Sequence, residues 1–191
     1  MNVLTHLLAD WTLAAPTQGS RRDRALVAWA GVLPDLDGAG LLVDFAARLL
    51  GLAETSYYQD YHRLWGHGLP AALLIALAAG ACARQRARVA AWSFAAVHLH
   101  LLMDLAGSRG GDPEDIWPIH YLMPLSRDWT VAWAGQWELV SWQNTLITAL
   151  LIAASLALAL RYRCSPCELV SPGADRRVVA ALEARWRTAS K

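Results

Sequence analysis

The chain has 191 residues, 55% of them hydrophobic and only 17% charged, with a positive mean hydropathy, whereas about a quarter of an average soluble domain is charged. That reads as one domain in or on a membrane. Seventeen basic residues against sixteen acidic ones leave a formal charge of +1, so no global field draws in nucleic acid and none is expected as a partner. Cys82, Cys164 and Cys167 cannot form the paired framework of a small secreted domain. The single CSPC, without a second pair, is a weak zinc or redox signal.

In chain order, MNVLTHLLADWTLAAP opens with an apolar helical run over residues 3–15. It lacks a basic leading region, and His6 and Asp10 interrupt it, so the segment is expected to be retained rather than cleaved as a signal peptide. His6 and Asp10, four apart, share one helical face. After RRDR (21–24) and a second run over 25–34, VLPDLDG places Pro34 at a helix end and Gly38 in a turn. Asp35 and Asp37 are therefore expected on a short loop, both carboxylates able to reach one point. A third run over 39–53 carries Asp44 and Arg48, which at a separation of four read as a surface ion pair. In YHRLWGHG, His62 and His67 converge only if His62 lies in the turn before a helix beginning near Leu69. Gly66, Gly68 and Pro70 fit such a start.

The run LPAALLIALAAGACA (69–83) leads through RQRAR (84–88) into a helix over 89–106, where His100 and Asp104 share a face. His98, about 200° around the helix from His100, reads as a packing or supporting residue. Residues 107–143 form the longest irregular stretch and hold five of the ten tryptophans, with His120 among them. Trp129, Trp133 and Trp137 recur every fourth residue as one aromatic face, either an interfacial belt or a cover for lipid tails. TLITALLIAASLALAL (145–160) and RYR follow. The two strongest runs, at 15 and 16 residues, fall short of the ~20 that span a bilayer comfortably, so they are spans only with flanking residues. Residues 1–163 read as one helical membrane domain. Residues 164–191 read as a tail with a short basic amphipathic helix, suited to an anionic membrane surface or to docking on the bundle.

Arginine clusters alternate along the chain with His/Asp clusters. If the intervening segments are antiparallel helices, each kind gathers at its own end. The expected fold is thus an all-α, antiparallel multi-helix bundle, embedded in or associated with a membrane, with a His/Asp metal cluster at one end. Arginine accumulates on the cytoplasmic face, which turns the cluster toward the extracytoplasmic side of a bacterial-type inner membrane. Histidine nitrogens with aspartate oxygens suit Zn²⁺ or a similar divalent ion, and carboxylates can bridge more than one. Such a site activates water against an ester, so hydrolysis is the expected chemistry. Arg63 and Arg109 are the nearest cations that could clamp a phosphate. Two alternatives stand beside this: a membrane protein that stores, senses or passes a metal ion, and a haem-binding bundle, against which the many carboxylates argue.

THLL, GVLPDLD, YHRLWGHG, HLLMD and the Trp-Pro stretch, in order through residues 1–125, together resemble the YdjM-like family of membrane-bound metal-dependent hydrolases. That family is thought to belong with the zinc-dependent phospholipase C and P1 nuclease superfamily, all-helical proteins that hydrolyse phosphate esters. The resemblance implies His6, Asp35, His62, His67, His100 and Asp104 as metal ligands and Asp37 as ligand or general base. It implies a phosphodiester or phospholipid substrate drawn from membrane lipid. The family's His-Arg-Gly-x-Thr-His-Ser is only partly kept, with Leu64, Gly66 and Gly68 at departing positions, so hydroxyls that orient ligands are missing. Asp10 has no counterpart in the pattern.

Overall fold

The computed structural model describes residues 1–62 and 64–189. Helices α1 (Val3–Thr17), α2 (Arg21–Ala30), α3 (Gly40–Leu49), α4 (Tyr57–Tyr61), α5 (Leu69–Cys82), α6 (Arg86–Gly107), α7 (Trp142–Tyr162) and α8 (Pro172–Ala189) follow one another. Two 3₁₀ turns, Leu33–Ala39 and Pro166–Leu169, interrupt the series. The all-α expectation holds with one addition inside the irregular stretch. There β1 (Ile119–His120) pairs antiparallel with β2 (Thr130–Val131), Ile119 opposite Val131 and His120 opposite Thr130.

Short polar caps set the helix starts by satisfying first-turn N–H groups. The Thr5 amide donates to the Asn2 side chain at 2.9 Å, Asp23 to Ser20 at 3.1 Å and Asn144 to Ser141 at 3.4 Å. α5 has no side-chain cap and starts after Gly68 with proline in its first turn. The expected Asp44–Arg48 ion pair is replaced by another cap. Asp44 accepts from the Thr55 hydroxyl at 2.6 Å and from the Tyr57 and Tyr58 amides at 2.9 and 2.8 Å, so it starts α4.

α5 lies along α6, and α1 lies against α2 and α7. Small residues fill these seams: Ala14, Val27, Ala79, Val89 and Ala96 form one cluster, and Trp11, Ala15, Ala28 and Cys164 another. Large apolar side chains face outward instead, among them Leu42 of α3 at 71% exposure, Leu74 of α5 at 70% and Leu150 of α7 at 60%. Small residues inside and leucines outside suit a lipid environment, where helices associate by close packing. α6, with 22 residues, and α7, with 21, are long and apolar enough to cross a membrane. α2 and the segment Leu33–Leu49, bent by 49°, make a further span if taken together, and α5 is shorter at 14 residues.

The two ends differ as the alternation predicts. Asp23 accepts the amides of Arg84 and Gln85 at 2.9 and 3.4 Å, which joins RRDR to RQRAR. Glu168 takes two bonds from Arg24, at 2.7 and 2.6 Å, and brings in the segment after RYR. At the other end the Thr5 and Thr148 hydroxyls meet at 2.7 Å, and Asn144 donates to the Gly107 carbonyl at 2.8 Å. α8 packs on the Pro166–Leu169 turn and on α7.

Candidate metal centre

Four donors converge near the last turns of α6. His100 and Asp104 stand one helical turn apart on its inner face, His67 comes from the loop before α5, and Asp35 from the first 3₁₀ turn. His67 Nε2 and His100 Nε2 face each other at 3.2 Å. Asp104 Oδ2 is 3.5 Å from each of those nitrogens. Asp35 Oδ1 is 3.8 Å from His67 Nε2 and 3.6 Å from His100 Nε2. All four donor atoms lie within 4.8 Å of one another. A tetrahedral ion with donor bonds of ~2.0–2.1 Å has donor–donor edges of about 3.3–3.4 Å. The separations bracket that value, and the set can hold a metal ion.

Around these donors lies a ring of buried support. His6 stacks on His100, ring centroids 3.8 Å apart, and its Nε2 is 3.1 Å from Asp104 Oδ1. The same oxygen accepts from the Ser108 hydroxyl at 2.9 Å and pairs with the Met1 amine. Asp104 thus turns Oδ1 to structural partners and leaves Oδ2 for the centre. Asp37 sits on the far side of His67: its Oδ2 is 3.1 Å from His67 Nδ1 and accepts the Gly66 amide at 3.0 Å, while its Oδ1 is 2.9 Å from His62 Nδ1. A carboxylate behind a ligating imidazole fixes the ring and its tautomer. Burial lowers the proton affinity of the His67 imidazole, but Asp104 and Asp37 outweigh it and hold its pKa up at about 9.

Of the residues expected in the site, Asp35, His67, His100 and Asp104 form the four-donor group, and His6 contacts it through Asp104. Asp37 and His62 lie one step behind. Asp35 and Asp37 therefore do not reach one point as expected; they grip opposite nitrogens of His67. His62 faces a pocket of about 180 Å³ lined also by Tyr58, Asp60, Leu64, Trp117, Pro118 and His120, which explains why the Trp-Pro stretch belongs with the histidines. His98 is turned away, its Nε2 2.9 Å from the Tyr121 hydroxyl, a supporting role as its angular position predicted. Arg109 donates to Glu138 at 2.9 Å and to the Gln136 carbonyl at 3.1 Å, so its guanidinium braces a loop. Arg63 lies outside the described residues.

Residues 64–68 close on the 3₁₀ turn because they carry glycine. A Cβ at Gly66 would strike the Pro34 backbone, so the departure from the family pattern there serves close packing. Gln136 was not singled out from the sequence, yet it is 3% exposed and donates to the carbonyls of Asp104 and Leu105 at 3.2 and 3.1 Å. A lone amide inside a tryptophan-rich loop was its only signal. Asp10 is 1% exposed, and neither of its oxygens has a hydrogen-bond partner among the described residues. Burial first, and the negative charge of Asp35 second, hold its carboxyl well above the ordinary range.

Membrane-length apolar helices around a buried His/Asp group define the class: a helical membrane protein with a centre that can hold a metal ion near one end of the bundle. The family model for the YdjM inner membrane protein matches residues 1–172, a span that includes every donor just described. The chain belongs to that family and is an inner membrane protein. No curated protein and no solved structure matches it.

Proposed function

We propose that this protein is a metal-dependent hydrolase of the inner membrane, acting on an ester bond and most specifically on a phosphodiester or phospholipid. The observation that supports it is the four-donor group Asp35, His67, His100 and Asp104, with nitrogen–nitrogen and nitrogen–oxygen separations of 3.2–3.8 Å and all four atoms within 4.8 Å of one another. The donor set suits Zn²⁺ or a similar ion, which when bound lowers the pKa of a coordinated water toward neutrality and polarises an ester or phosphoryl oxygen. Asp37 holds His67 in register from behind. His62, bonded to Asp37 and lining the adjoining pocket, is the side chain through which substrate binding and the centre communicate. In this reading Arg63 clamps the phosphate, and the site faces the extracytoplasmic side, opposite the arginine clusters.

In this reading the family belongs with the zinc-dependent phospholipase C and P1 nuclease superfamily, whose chemistry is the same. Haem is disfavoured by geometry: His67 and His100 meet nitrogen to nitrogen at 3.2 Å, leaving no room for a porphyrin between axial ligands. Purified protein is expected to hydrolyse a generic phosphodiester, with activity lost on chelation, restored by Zn²⁺, and absent in His67→Ala. Inactivity across a panel of phosphoesters and carboxylesters, despite stoichiometric metal, would leave a metal carrier as the better description.

A further inference from the structure

The seam between α2 and α5 is not filled along its outer side. There the two helices leave a groove of about 380 Å³, walled by Arg22, Trp29 and Leu33 on one side and by Ile75, Ala78 and Cys82 on the other. The helices run antiparallel, since Asp23 holds the Arg84 amide at 2.9 Å at one end while Gly66 packs on the Pro34 backbone at the other. Arg22 and Cys82 therefore stand at the arginine end. Trp29 and Ile75, each seven residues away along its helix, stand about 10 Å deeper. Trp29 is 42% exposed and Leu33 40%, so the groove opens to the outside of the bundle. Its described lining is apolar except for Arg22.

The mouth of the groove carries charge of one sign. The acids at this end are already engaged: Asp23 by the Arg84 and Gln85 amides, Glu168 by Arg24, Asp175 by the Ser165 amide and hydroxyl, and Glu183 by Arg163. Arg22, Arg84 and Arg86 are exposed, and the ion pairs among the described residues leave all three without a partner. The Asp23 bond sets Arg84 beside Arg22 in space. An apolar groove with unpaired cations at one end is complementary to a chain with a negative head, and basic pockets between membrane helices take anionic headgroups.

We infer that the α2–α5 groove holds an acyl chain of an anionic phospholipid, with the headgroup against Arg22 and Arg84. The site lies at the opposite end of the bundle from the four-donor group and stands whether or not that group takes a metal.

The test uses full-length protein in phosphatidylcholine vesicles that contain a minor fraction of lipid brominated on its acyl chains, either phosphatidylglycerol or phosphatidylcholine. Brominated phosphatidylglycerol should quench tryptophan fluorescence more than the same fraction of brominated phosphatidylcholine. The excess should disappear in Trp29→Phe, which removes the reporter, and in Ala78→Phe, which fills the groove from an exposed position. Arg22→Gln should raise the amount of phosphatidylglycerol needed for half of the excess by about fivefold. Alkylation of Cys82 in the wild type needs no variant: phosphatidylglycerol should slow it relative to Cys167, and phosphatidylcholine should not. Equal quenching by the two lipids makes the occupant ordinary boundary lipid and overturns the proposal. So does an excess that survives Trp29→Phe, which places the anionic lipid elsewhere, or an unchanged Cys82 rate. Trp29 quenched by neither lipid would mean that a polypeptide covers the groove, and overturns it too.

Discussion

The two ends of the bundle bury charge in opposite ways. At the arginine end Glu168 is 1% exposed and fully engaged: Arg24 binds both its oxygens, the Trp11 indole donates at 3.0 Å, and Arg21 donates to its carbonyl at 2.8 Å. At the histidine end His6, Asp10 and His100, equally buried, and the partly exposed Asp35 keep polar atoms without a hydrogen-bond partner among the described residues. Desolvated charge persists in a fold when something compensates it. Where the protein itself does so, the arrangement is a fastening. Where it does not, donor atoms remain that can take a ligand.

The contrast can be broken most strongly at the fastened end. Glu168→Ala leaves Arg24 and the Trp11 indole without their partner and should cost about 3 kcal/mol, read as a lowered unfolding midpoint with or without added metal. A loss that disappears when Zn²⁺ is supplied would mean that the ends are not independent. At the other end, Zn²⁺ at about a hundred times its Kd should stabilise wild type by about 2.7 kcal/mol, an increment removed by chelation and absent in Asp104→Ala. Asp37→Asn should keep the site but weaken metal affinity by roughly 10–100-fold, because it loosens the ring rather than deleting a donor. Complete loss of binding would make Asp37 itself a ligand. His98→Phe removes two hydrogen bonds, one with the Tyr121 hydroxyl and one to the Phe94 carbonyl, and should cost about 1–2 kcal/mol with metal affinity unchanged.

The smallest effect is chemical. Burial pushes the Cys164 thiol up to about 11, despite the opposing charge of Arg24, whereas Cys82 is exposed. Near pH 8.5 an alkylating reagent should therefore modify Cys82 quickly and Cys164 only on unfolding. Because the unfolded thiol ionises first, this residue subtracts stability as pH rises from about 9 toward 11. Rapid modification of native Cys164 would show that the fastened end opens.

Much of this was legible because polar residues in apolar helices are expensive and have to be gathered. The alternation of arginine with His/Asp clusters already implied two unlike ends, and the four-residue spacing of His100 and Asp104 implied their shared face. The division of labour between Asp35 and Asp37 was hidden. A loop places no constraint on two residues so close, but a 3₁₀ turn, with three residues per turn, sends positions two apart to different sides. The tryptophan spacing misled for a similar reason. Trp129 and Trp133 are 65% and 45% exposed, while Trp137 turns inward to donate to Asn144 at 2.7 Å, so no continuous helical face forms. Asp10 was legible as sharing a face with His6 but not as a buried carboxyl without a hydrogen-bond partner, since nothing local in HLLAD reveals what Gly31 leaves room for.

The shortness of α5 has a consequence for the surrounding lipid. Its 14 residues rise about 21 Å, against a hydrocarbon thickness of ~30 Å. Yet its first turn adjoins His67, which meets α6 at His100, almost two turns before that helix ends. A lipid-facing helix this short is accommodated by local thinning of the bilayer or by its longer neighbours. Thinning on the histidine side would bring the headgroup plane toward the four-donor group. A scissile bond carried by a lipid would then come to the centre by lateral diffusion, without the molecule leaving its leaflet.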